Sequence, residues 1–462
     1  MTPFADASMT MFPASSTVAP IPTIARIRAE VASGNADVAQ YVVRAYDAAC
    51  ESQASLHASL HAFCYLPEIA PVNAVDATAP LAGVPVAVKD VLDTADMPTE
   101  FNSPAYKGRR PEHDAWVVAR LRAAGASIIG KTVTTEFAWR QPGATVNPWN
   151  GGFTPGGSSS GSAAAVAAGI VPLALGTQTQ GSVIRPAAYC GIVGFKPTYG
   201  AIARTGVLPL AWSLDHVGMF ATRVADVAYT LALVTGADAA DPHVSHVPHT
   251  AATTRGTGTR RIGVLSKQVG GEVEPAQQAA LDRLAAQLAR DGAEIVSVDL
   301  PVEIFETPAH ALKLMSVEAA ITHGELVDRT PELVSQAMRG LVDEGRKLPV
   351  TAYARIKAAQ MPMAHRFHDW LTRTMALDAL LVAPATGEPP RGLDYTGDAS
   401  FCAPWTFLGV PAVTVPVGFG PAGLPLGAQL VGAARGDLDL LMLAEWVEAR
   451  TGWQATVAQQ HG

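Results

Sequence analysis

The chain has 462 residues, 48% hydrophobic and 16% charged, with a formal net charge of −8. Such a chain can bury a large core and is neither disordered nor a solvating tail. It has no basic stripe to serve as an electrostatic footprint for nucleic acid, and Cys50, Cys64, Cys190 and Cys402 lack the spacing of a zinc site or a disulfide framework.

Residues 1–22, rich in Pro, Ser, Thr and Ala, read as a loosely held arm in front of a domain spanning 23–462. No positively charged stretch precedes an apolar one, so no signal peptide is expected. The Ala- and Val-rich run 162–175 is too short to span a bilayer. A cytoplasmic protein without membrane contact is the expectation. From Thr23 to about Cys50 apolar residues recur at helical spacing: Ile24, Ile27, Val31, then Val42, Val43 and Tyr46. Residues 83–88 read as a buried strand, 116–124 as a helix stopped by Gly125, and 127–130 as another strand. This alternation predicts an α/β fold. Residues 140–161, with six glycines and three prolines, read as loop. A helix is predicted at 162–169, a strand at 171–175, an exposed insertion or linker at 243–258, strands at 261–265 and 379–384, and helices at 276–291 and 438–450. The strands on both sides of the linker fit one sheet, so a single domain is favoured.

Three polar residues stand out against this frame. Lys89 ends the apolar run Val84-Pro85-Val86-Ala87-Val88. A lysine buried at a strand end loses affinity for its proton and becomes a usable base. Alternatively its head reaches solvent, or pairs with Asp90 or Asp93. Ser158 lies in Gly156-Gly157-Ser158-Ser159-Ser160-Gly161, which also suits a turn or a helix cap. Ser182, 24 positions on, lies in Gln180-Gly181-Ser182. A strand running into a tight turn there would expose the hydroxyl and aim successive backbone N–H groups at one spot, as an oxyanion requires; an ordinary solvated turn is the bland alternative. The frame is not the GxSxG elbow, and the twelve histidines, His216 among them, show no diagnostic spacing.

Taken together, Gly83–Asp90, Pro155–Ser162 and Gly176–Pro197 resemble the amidase signature family. The resemblance extends to 119–126, 130–132, 194–200, Ser213–Gly218, Gly409–Ala412 and Gly423–Leu430, and so runs from about residue 20 to 455. It implies a single α/β/α domain around a large mixed, twisted sheet. It also implies a triad in which Ser182 is the nucleophile, Ser158, on a cis peptide bond, the relay, and Lys89 the base. The backbone of Thr179, Gln180, Gly181 and Ser182 would form the oxyanion hole, with no metal and no cofactor. Four positions depart from the family pattern. Ser160 replaces a glycine, expected on a solvated loop. Gln178 replaces an acid. Gln180 replaces a glycine, and is strained if that position needs a positive φ. Arg185 stands three residues after Ser182, a form that resembles the branch containing malonamidase.

The expected activity is hydrolysis of a small-molecule amide, releasing ammonia or an amine from an acyl-enzyme. Rival readings are the glutaminase subunit of a multi-subunit amidotransferase or of an amidase complex, and a non-catalytic binding protein on the same fold. The assembly options are a homodimer or a small partner subunit. Arg185 suits a carboxylate or second carbonyl on the substrate, or else ties the loop to a backbone carbonyl or an acid. Gly157, Phe137, Trp139 and Trp212 complete the expected substrate contacts.

Overall fold

The computed structural model describes residues 20–54, 60–244 and 259–454. The expected arm and insertion thus lie outside the described residues, except at 20–22 and 243–244. Eleven strands form one mixed sheet: β1 (Phe63–Tyr65), β2 (Pro85–Lys89), β3 (Ser127–Thr132), β4 (Leu173–Gln178), β5 (Val193–Lys196), β6 (His216–Ala221), β7 (Arg261–Leu265), β8 (Glu294–Val298), β9 (Ala379–Val382), β10 (Ala412–Phe419) and β11 (Pro425–Val431). Their order is β1-β3-β2-β4-β6-β5-β10-β11-β9-β7-β8. Strands from both sides of the expected linker share the sheet, since β10 pairs with β5.

β2, β4 and β11 are buried at every position. Successive strand side chains point to opposite faces, so both faces of the sheet are covered there. β8, at the far edge, leaves Glu294 and Ser297 exposed. β3, β2 and β4 run parallel. Their C-terminal ends open on one side, where sheets of this kind present ligand sites.

The helical periodicity after Thr23 resolves into two helices, Ile24–Ala32 and Val38–Ala54. Gly34, at φ 73°, ends the first, and Asp37 starts the second by accepting from the Ala39 N–H at 2.7 Å. The Trp116–Ala123 helix stops before Gly125, whose φ of 101° suits glycine. Between β8 and β9 three helices, Thr307–Arg329, Gln336–Lys347 and Val350–Asp369, form an excursion. It is moored to the rest of the domain by specific polar contacts. Glu136 Oε2 accepts from the Ser335 N–H at 3.0 Å, Trp139 Nε1 donates to the Ala337 carbonyl at 3.1 Å, and Glu318 Oε2 accepts from the Ser213 N–H at 2.9 Å.

The glycine-rich frame around Ser158 also has a packing reason. Helix Ser160–Ala167 lies so close to β1 and β3 that a Cβ on Gly161 would stand 2.1 Å from the Ala62 carbonyl oxygen and 2.5 Å from the Val133 nitrogen. Both are backbone atoms and cannot swing away. Gly161→Ala is expected to destabilise the domain by about 1–3 kcal/mol, the usual cost of overpacking. Thermal melting of the variant checks this; an unchanged midpoint would contradict the close approach.

Candidate active site

Lys89 is the last residue of β2 and is fully buried. Neither acid beside it in sequence is its partner: Asp90 pairs with Lys131 at 3.1 Å and Asp93 with Arg109 at 2.6 Å. Its Nζ instead lies 2.7 Å from Ser158 Oγ and 2.8 Å from Thr177 Oγ1. Burial drives the Lys89 pKa well below the ordinary lysine range, and the charge of Asp215 offsets this in part. The amine therefore sits among hydroxyls with no ion pair among the described residues, which favours its neutral form.

Ser158 follows a cis Gly157–Ser158 peptide bond. Its carbonyl accepts from the Thr135 N–H at 3.2 Å, and its side chain faces a cavity of about 140 Å³. Ser182 lines the same cavity and is 9% exposed, with Thr179 and Gln180 beside it. Among the described residues, the backbone N–H groups of Gln180, Gly181 and Ser182 have no protein acceptor. A run of free donors beside a cavity-facing hydroxyl is what a developing oxyanion needs.

The turn that carries these donors is held by neutral groups. Gln178 Oε1 accepts from the Val183 and Ile184 N–H groups at 2.9 and 3.0 Å, while its Nε2 donates to Thr406 Oγ1 at 3.0 Å. Thr406 Oγ1 in turn donates to the Gln180 carbonyl at 2.8 Å. Glutamine at 178 thus does by hydrogen bonds alone what a carboxylate could do only as an acceptor. Gln180 is not among the non-glycine residues with positive φ, so the strain considered for it does not arise. Ser160 is a correction: it is buried, opens the helix, and donates to the Val133 carbonyl at 3.2 Å rather than lying on a solvated loop.

Arg185 is buried, and Nη2 donates to the Gly157 carbonyl at 2.7 Å, which ties the two serine loops together. Nε and Nη1 are also buried and have no partner among the described residues, and Arg185 lines the cavity. The loop contact thus uses one nitrogen and leaves two without an acceptor. Trp139 lines the cavity, but Phe137 and Trp212 are not among its lining residues. Phe137 is fully buried against Tyr106 and His323. The Trp212 carbonyl accepts from Arg204 Nη1 at 2.6 Å. Gly157 contributes its carbonyl to Arg185 rather than lining the cavity.

Sequence reasoning missed several cavity residues. Thr135 has a buried hydroxyl without a partner among the described residues. Leu312 and Met315 come from the helical excursion, and Tyr395 and Asp398 from the loop before β10. None carries a local signal, because each reaches the site only through tertiary packing.

The Amidase family profile matches residues 41–441. This chain belongs to the amidase signature family. It is 35% identical over 447 residues to a glutamyl-tRNA(Gln) amidotransferase subunit from Rhodopirellula baltica, covering 84% of this chain and 89% of the relative. The solved structure of the corresponding subunit from Thermotoga maritima matches with a TM-score of 0.79 at 27% identity, over 94% of this chain and 96% of that one. A structure of 6-aminohexanoate cyclic dimer hydrolase complexed with substrate also gives 0.79, at 26% identity, over 95% and 99%. As a member of the amidase signature family the chain is an enzyme, and its single α/β domain is the amidase signature fold. No helix among the described residues is long and apolar enough to cross a membrane.

Proposed function

We propose that this enzyme hydrolyses a small carboxylate-bearing amide through a covalent acyl-enzyme, with Ser182 as nucleophile, Ser158 as relay and Lys89 as base. The observation that carries the reading is the buried Lys89 amine, without an ion-pair partner among the described residues and 2.7 Å from the Oγ of Ser158, which lines one cavity with Ser182. Neutral Lys89 accepts the Ser158 proton while Ser158 accepts that of Ser182, whose oxygen adds to the amide carbonyl. The oxyanion is held by the free N–H groups at 180–182. The relay then returns a proton to the leaving nitrogen, the C–N bond breaks, and ammonia or an amine departs. Water repeats the cycle on the ester and frees the carboxylic acid.

Arg185 supports the carboxylate on the substrate. A buried guanidinium with two unpaired nitrogens is incomplete, and a planar fork matches a carboxylate. Arg185→Ala is expected to raise KM for an acid-bearing amide by about tenfold or more, with a much smaller effect on a neutral amide of similar size. Because Nη2 also ties down Gly157, equal losses on both substrates would reduce Arg185 to that structural contact.

A second reading is favoured by the 35% likeness to an amidotransferase subunit. Glutamine is itself a carboxylate-bearing primary amide, so both readings place the same bond at Ser182 and the same anion at Arg185. They differ in whether a partner is required. Ammonia release from a panel of small amides, glutamine included, separates them when assayed on the isolated chain and on material co-purified at native expression. Glutamine turnover only in a co-purified assembly would establish the subunit reading. Turnover of another amide by the isolated chain would establish the free-standing enzyme.

A further inference from the structure

The charge that acts on Lys89 comes from a distant loop. Asp90 and Asp93 are engaged elsewhere, and position 178, on the strand paired with β2, is a neutral glutamine. The carboxylate whose field reaches the Lys89 amine is Asp215, just before β6. Asp215 is buried. Oδ2 accepts from the Leu210 and Ala211 N–H groups, each at 2.9 Å, and Oδ1 accepts from Thr179 Oγ1 at 2.6 Å. Thr179 begins the turn that carries Ser182, and Leu210 forms part of the cavity wall. One carboxylate therefore joins the donor-bearing turn to a second segment of the cavity wall.

We propose that Asp215 is a positioning residue that fixes the turn at 179–182, and with it the free N–H groups beside Ser182, through Thr179. The inference rests on the proposed roles of Ser182 and Lys89. The other groups facing Asp215 are few. Arg204 donates from Nη1 to the Asp215 carbonyl at 3.3 Å, and its charge is paired with Asp241 at 3.2 Å. The Tyr199 phenol is held protonated by burial, which pushes it up to about 12, and burial keeps His216 neutral. Burial also pushes the Asp215 carboxyl up to about 6, so it is ionised near neutrality. An ionised Asp215 favours the protonated amine. Removing its charge therefore favours the free base and moves Lys89 activity to lower pH.

Asp215→Asn removes the charge with little change in shape, and Thr179→Val removes the tie. The asparagine Oδ1 can still accept from the two backbone N–H groups, while its Nδ2 donates to Thr179 Oγ1. The ascending limb of kcat/KM against pH is expected to move to lower pH by about half a unit or more. Gln178→Glu, which adds a carboxylate beside β2, is expected to move the limb the other way. Thr179→Val, which cuts the tie but keeps the charge, should lower kcat and leave the limb in place. The rate of inactivation by a fluorophosphonate against pH gives the same limb without turnover. A wild-type kcat in Thr179→Val would overturn the inference. If Asp215→Asn does not fold, Thr179→Val decides alone, because it cuts the tie and leaves the carboxylate in place. A limb that persists in Lys89→Met would instead defeat the assignment of the base, a distinct outcome.

Discussion

Ser182→Ala is expected to lower kcat/KM by about three orders of magnitude or more, with folding intact. Loss of the proposed covalent nucleophile would leave only binding and oxyanion stabilisation, and these cannot replace a bond to Ser182 Oγ. The side chain shrinks by one oxygen in a residue that faces the cavity, so no packing is lost. Ammonia release at saturating substrate, together with a thermal melt, separates the two effects. Near wild-type turnover on a substrate of the native enzyme would remove Ser182 from the chemistry.

Lys89→Met is the second large effect, again about three orders of magnitude in kcat/KM. Methionine fills most of the same volume but offers no base. The wild-type rate should rise with pH along a limb set far below the ordinary lysine range, because burial has already driven the amine toward neutrality. That limb should vanish in the variant. Stability should move in the opposite sense. The unfolded lysine binds its proton up to about pH 10.4, whereas the folded one releases it at much lower pH. The depressed pKa therefore costs stability at neutral pH, and this cost fades as pH rises toward the unfolded value. Methionine at 89 removes it, so the variant is expected to melt no lower than wild type at pH 7. A large fall in melting temperature would mean that the hydrogen bonds to Ser158 and Thr177 outweigh the burial of the amine.

The sequence carries the centre of the sheet well because its strands are buried on both faces. The unbroken apolar run before Lys89 has no other economical reading. The α/β alternation from 83 to 130 is likewise a local property. Residues 301–378 are less legible. The excursion helices serve the cavity with one face and solvent with another, and Leu312 and Met315 become wall residues only when the Thr307–Arg329 helix lies over the site. In the site, the glycines that flank the serines and the apolar run that ends in the lysine single out Lys89, Ser158 and Ser182, and the structure places Lys89 against Ser158 and Ser158 in one cavity with Ser182. Phe137 and Trp212 misled because aromatic residues near a glycine-rich loop serve packing as readily as substrate. Asp215 shows the limit most clearly. Its neighbours Ser213, Leu214 and His216 give no sign that its carboxylate turns back to Leu210 and Ala211 and across to Thr179.

The covalent step at Ser182 is tested most directly by mass spectrometry of the native protein after reaction with a fluorophosphonate. Attack by Ser182 Oγ on phosphorus forms a P–O bond and expels fluoride, while the hydroxyl proton passes through Ser158 to Lys89. The expected result is one adduct per chain on the peptide containing Ser182, loss of amide hydrolysis in step with labelling, and no adduct in Ser182→Ala. An adduct confined to another residue, or full labelling at Ser182 with undiminished hydrolysis, would contradict the assignment.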